Sequence, residues 1–90
     1  MNINFVDKIT VEKGKHTIYH LLGKSEDGGN IHYYLDVLPS KKEGFLKALK
    51  PGIVLTDYGT LVAGYAGDTP DEESVQFMRD NFGVDLLEAA

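Results

Sequence analysis

Three runs rich in β-branched and aromatic residues succeed one another before Pro39, separated only by short polar stretches that carry glycine. Consecutive hairpins are the natural outcome, and they favour an antiparallel sheet. Ile3 to Val11 places apolar residues at Ile3, Phe5, Ile9 and Val11, an alternation with one gap at Asp7, and Glu12-Lys13-Gly14-Lys15 reads as a tight turn. His16 to Leu22 forms the second run and ends at Gly23. Lys24 to Asn30, with two glycines, has the composition of an exposed hairpin loop, and Ile31 to Leu38 makes a third strand closed by Pro39.

Helical signals follow. Ser40 with Glu43 three residues on forms a capping-box pattern, with Phe45, Leu46 and Leu49 as an apolar stripe, Lys47 and Lys50 at the negative end, and Pro51-Gly52 as the stop. Ile53 to Thr56 and Thr60 to Ala66 read as two strands around a turn at Asp57-Tyr58-Gly59-Thr60. Thr69-Pro70-Asp71-Glu72 reads as a second helix start, with Thr69 as cap and Pro70 at the first helical position. Val75, Met78 and Phe82 line one face of that helix, Gly83 ends it, and residues 84 to 90 form a tail anchored by Leu86 and Leu87.

The expected fold is therefore α+β: a mainly antiparallel sheet of about five strands in the order β-β-β-α-β-β-α, with both helices on one face. A β-grasp-like arrangement is one candidate, because hairpin, helix, hairpin occurs there. At 90 residues the chain has room for one domain, spanning 1 to 90, and for one core. No internal repeat, low-complexity tract or linker divides it.

Composition excludes several classes of function. Without cysteine there is no disulfide framework, thiolate metal site or catalytic thiol, which suits a reducing cytoplasm. No apolar run approaches the ~20 residues of a membrane span, and the first residues have neither the basic start nor the apolar stretch of a signal peptide. Residues 1 to 50 hold eight lysines against six acids, a balance of +2. Residues 51 to 90 hold only Arg79 against eight acids, a balance of −7, so the net charge is −5. An acidic carboxyl-terminal half repels phosphate backbones, which disfavours nucleic acid and leaves a partner with a basic surface easier to accommodate.

Histidine is the residue type most able to carry chemistry here. On a strand His16, Ile18, His20 and Leu22 share a side, as do His32, Tyr34, Asp36 and Leu38 on the next run. If Leu22 pairs near residue 30, His20 stands opposite His32 and His16 opposite Asp36. Imidazole and carboxylate together are ligands for zinc and related metals, so His20, His32, Asp36 and His16 form a candidate metal set. A one-residue slip in register would separate them onto opposite faces, and His16 and His20, four positions apart, are too distant to share one ion easily.

Tyr19, Leu21, Ile31, Tyr33, Leu35 and Val37, on the other side, read as core beneath the helices. The histidine-bearing side mixes Ile18, Leu22, Tyr34 and Leu38 with His20 and His32, which is an interface-like composition of apolar anchors in a polar rim. The glycines around Gly64-Tyr65-Ala66-Gly67 match neither glycine-rich nucleotide signature, and Asp68, Asp71, Glu72 and Glu73 would repel an anion there. No serine has the flanks of a nucleophile elbow.

The chain thus reads as a small soluble cytoplasmic interaction module without catalytic activity, a regulator or inhibitor. It would act on a protein partner or on itself as a homodimer, with no cofactor, through the open sheet face or the acidic second helix. The alternative is a histidine-dependent metal-binding protein or a small hydrolase or nuclease.

Overall fold

The computed structural model describes residues 3 to 87. It contains, in order, β1 (Ile3–Val11), β2 (His16–Lys24), β3 (Asn30–Val37), α1 (Lys42–Ala48), β4 (Gly59–Ala66) and α2 (Glu72–Phe82). The strands form one four-stranded sheet in sequence order, every neighbour antiparallel. The class is α+β, with four strands rather than five.

The missing strand is the one expected over Ile53 to Thr56. There the chain makes a short 3-10 turn at Leu55–Asp57, with Leu55 buried, and enters β4 directly. The second hairpin is therefore absent, and with it the β-grasp-like order. The β1 to β2 turn is closed by Lys15 N–H donating to Glu12 O at 3.2 Å, with Gly14 at φ 81° in the third position, as a type II turn requires.

The helix ends differ from expectation in instructive ways. Ser40 does not cap α1; a 3-10 turn at Pro39–Lys41 leads into the helix, and no side-chain hydrogen bond caps either segment. Asp71, rather than Thr69, caps α2: its carboxylate accepts from the Ser74 backbone N–H at 3.1 Å and from the Ser74 hydroxyl at 2.8 Å. Gly83 ends α2 in the left-handed conformation, φ 67°, and Val84 N–H closes the motif on Met78 O at 3.1 Å.

The two helices do not share a face of the sheet. Val75 and Met78 of α2 pack with Val11, Ile18 and Tyr34, whereas Phe45 of α1 packs with Tyr19, Leu21, Leu35 and Val37. Ile18 and Tyr19 are consecutive on β2, as Tyr34 and Leu35 are on β3, and consecutive strand residues point to opposite faces. The sheet is a shared floor with a core on each side. Both faces carry enough aliphatic and aromatic side chains to attract a helix, and each helix has a single apolar stripe, so each satisfies one face.

The tail after Gly83 belongs to the α2 side. Leu86 is fully buried there with Val84 beside it, whereas Leu87 is exposed and borders a cleft with Pro70 and Val75. Residues 88 to 90 of the expected tail lie outside the described residues. Among the described residues no helix is long and apolar enough to cross a membrane.

Candidate functional site: a ladder of histidine and tyrosine rings

The β2 to β3 register puts Leu22 opposite His32, His20 opposite Tyr34 and Ile18 opposite Asp36. This is two residues from the register that would set His20 against His32. A two-residue shift preserves side-chain parity, so all four polar residues still share a face, and they meet diagonally. His16 Nδ1 donates to Asp36 Oδ2 at 2.7 Å, and His20 Nε2 lies 2.8 Å from His32 Nδ1.

Cross-strand pairing stacks the rings. His20 lies on Tyr34 with centroids 4.5 Å apart and planes 11° from parallel, and His32 lies on Tyr65 of β4 at 4.7 Å and 16°. The two hydroxyls of Tyr34 and Tyr65 are 3.4 Å apart. Burial pushes the Tyr34 phenol well above its ordinary range, assisted by the hydrogen bond and the charge of Tyr65, so it remains neutral.

His32 connects this ladder to the loop after β4. Its Nε2 is buried without a hydrogen-bond partner, and the Asp68 carboxylate stands 3.6 Å away. Asp68 is held by the Asn30 side-chain amide at 3.0 Å. That bond and the approach of His32 hold the Asp68 carboxyl below the usual carboxylate range. An anion facing Nε2 favours the tautomer with its proton there, which leaves His32 Nδ1 to accept from His20 Nε2–H. Burial, and then the proximity of His32, lowers the His20 pKa; Asp7, paired across from it on β1, opposes both.

The His16–Asp36 pair is separate. It lies in a cleft of about 220 Å³ lined by Gly14, Lys15, Leu38 and Thr60, with the edge of Phe82 against the imidazole at 5.1 Å. Gly14 passes so close that a Cβ there would stand 2.9 Å from His16 Nε2. The Asp36 carboxylate accepts from His16 Nδ1 and so fixes the orientation of the ring, whose Nε2 lies beside Gly14.

These positions revise the expected site. Ile18 and Tyr34, expected to touch a partner, are 0% and 1% exposed beneath α2 and belong to the protein's own core. Leu22, His20 and His32 are half-buried, and only Leu38 of the expected contacts is exposed, at the far end by the His16 cleft. The candidate metal set divides into two pairs. Among the described residues no three His, Asp or Glu side chains approach closely enough to share an ion.

Tyr65 and Asp68 are the participants that sequence reasoning missed. Their place beside His32 depends on how β4 registers on β3 across an intervening helix, which no local pattern encodes. Comparison with known proteins finds no matching family model, no similar curated protein and no similar solved structure.

Proposed function

We propose that the protein is a small non-catalytic interaction module, a regulator or inhibitor, that works as a homodimer formed along β4. The observation that carries this reading is the contrast between the two sheet edges. β4 (GTLVAGYA) contains no charge and no proline, and Thr60, Leu61, Gly64 and Ala66 are exposed. Among the described residues no backbone hydrogen bond leaves its outer side. An uncharged open edge is a template for another strand.

β1 is guarded. It carries Asp7 and Lys8 at its centre, has a bulge between Phe5 and Asp7, and its Lys8 N–H is already taken by the Asp7 carboxylate at 2.7 Å. A subunit with one open edge forms a closed two-fold pair and cannot polymerise, which favours a second copy as the occupant. β4 has its own bulge, where Val62 is the extra residue facing Tyr34 and Leu35, so the strand offers short straight segments on either side of it.

A two-fold axis perpendicular to an antiparallel sheet keeps like faces together. The dimer would present two α2 helices on one side, with Glu72, Glu73 and Asp80 exposed on each, and two lysine-bearing α1 helices on the other. The acidic side would suit a partner with a basic surface. The absence of cysteine fits action in a reducing cytoplasm.

Sedimentation velocity on the full chain tests this. We expect a monomer–dimer equilibrium with no larger species, strengthened by salt because each copy carries −5. Leu61→Lys or Ala66→Lys should yield monomer, even though each reduces the net charge that opposes pairing. Val6→Lys on the guarded edge should leave the dimer intact. A chain that stays monomeric at every soluble concentration, or a dimer indifferent to both β4 lysines, overturns the reading.

A further inference from the structure

We propose that the His20–His32 pair is an acid-sensitive latch on the β4 edge, and that a second proton on the pair breaks it, frees Tyr65 and weakens pairing between two copies. The latch rests on the dimer reading above. Two ring nitrogens 2.8 Å apart share one proton. In the neutral pair His20 Nε2–H donates to His32 Nδ1, while the second N–H of the pair, on His32 Nε2, faces Asp68 at 3.6 Å.

The first added proton has a place to go. It enters at His20 Nδ1, on the ring facing Asp7 across the β1 pairing, and leaves the shared hydrogen bond in place. The second has none. It must occupy His32 Nδ1, where two N–H groups would point at each other, so the rings must part.

His32 cannot part from His20 alone. Its ring is stacked on Tyr65 and its side chain is only 15% exposed. Tyr65 lies on the edge strand itself, and Asp68 follows that strand immediately. The groups facing the pair are Asp7 of β1, Tyr34 of β3, Tyr65 of β4 and Asp68. Lys24 acts on Asp68 and also donates to the Asn30 side chain that holds it, at 2.6 Å. α2 contributes the uncharged Val75 and Met78 to this face.

The sign of the effect is diagnostic. Protonating histidines lowers the net charge of each copy and on that ground alone would strengthen association. A latch predicts the reverse.

Dimer dissociation constants of the full chain at about pH 7.5 and about pH 4.5 provide the test, the lower value set well beneath the ordinary histidine range because the second proton enters a pair that is already charged. Wild type should weaken by about tenfold or more in acid, the size of a one-unit linkage. His32→Asn and His20→Gln should lose that weakening, and His16→Ala should keep it. In ring-nitrogen spectra the second protonation should coincide with displacement of the Tyr65 signals. Acid-indifferent wild type, variants that weaken as wild type does, or unmoved Tyr65 signals overturn the latch and leave the dimer standing. A chain monomeric at both pH values removes the dimer and the latch together.

Discussion

His20 stands where burial and the neighbouring His32 favour neutral imidazole, with Asp7 in partial opposition. Its folded pKa therefore lies below the ordinary 6.5, and in the window beneath that value the unfolded chain binds more protons than the folded one. The associated stability is complete above about 6.5 and declines as the pH falls. A second decline belongs to Asp27, Asp68 and Asp71, whose carboxyls are held below 3.8 by the Ser25, Asn30 and Ser74 side chains respectively. That contribution is present above 3.8 and is lost as the pH drops further. Urea midpoints between about pH 7.5 and about pH 5.5 should fall for the wild type and fall less for His20→Gln; equal declines would show that the imidazole pair does not carry the linkage. The common face of His16, His20, His32 and Asp36 was legible because parity survives a two-residue error in register. That α2 would cover their aliphatic neighbours was not legible, since Ile18 and Tyr34 suit an interface or a core equally well.

Strands β1 to β3 were readable from alternation and glycine-bearing turns, and the end of α2 from Gly83. Ile53 to Thr56 reads as a strand although it is not one, because a short β-branched run bounded by turn residues matches a strand and an extended segment entering a 3-10 turn equally well. The element that depends most on one residue is the start of β4. Gly59 pairs with Val37, and a Cβ placed on it would collide with the carbonyl oxygen of Asp36, a backbone atom that cannot turn aside. Gly59→Ala should therefore push β4 away from β3 and cost about 1–3 kcal/mol, the range of an overpacked site. Gly64→Ala is the internal comparison. Its added carbon would meet only the His32 carbonyl oxygen at 3.4 Å, so it should cost far less. Denaturant unfolding of both variants decides the matter, and similar costs for the two would mean that chain entropy rather than contact with Asp36 governs the position.

A sheet with a core on each face is an arrangement that side-chain pattern alone leaves open. β2 and β3 are apolar on both sides, with Ile18 and Tyr34 turned one way and Tyr19, Leu21, Leu35 and Val37 the other. Two amphipathic helices can then cover the same face or opposite faces with equal local logic. The separation has an energetic consequence. Phe45 and Met78, each fully buried, lie in different clusters with the sheet between them. Helices on opposite faces of a sheet stand about 20 Å apart, since each packing layer is ~10 Å. At that distance substitutions sharing no partner add within about 0.5 kcal/mol. Phe45→Leu and Met78→Val should each cost about 1 kcal/mol, small enough to leave a marginal domain folded, and the double variant should lose their sum. Urea unfolding at concentrations where the chain is monomeric measures all four corners of the cycle. A coupling above about 1 kcal/mol would mean that the sheet transmits repacking from one side to the other, and that the two clusters behave as a single core.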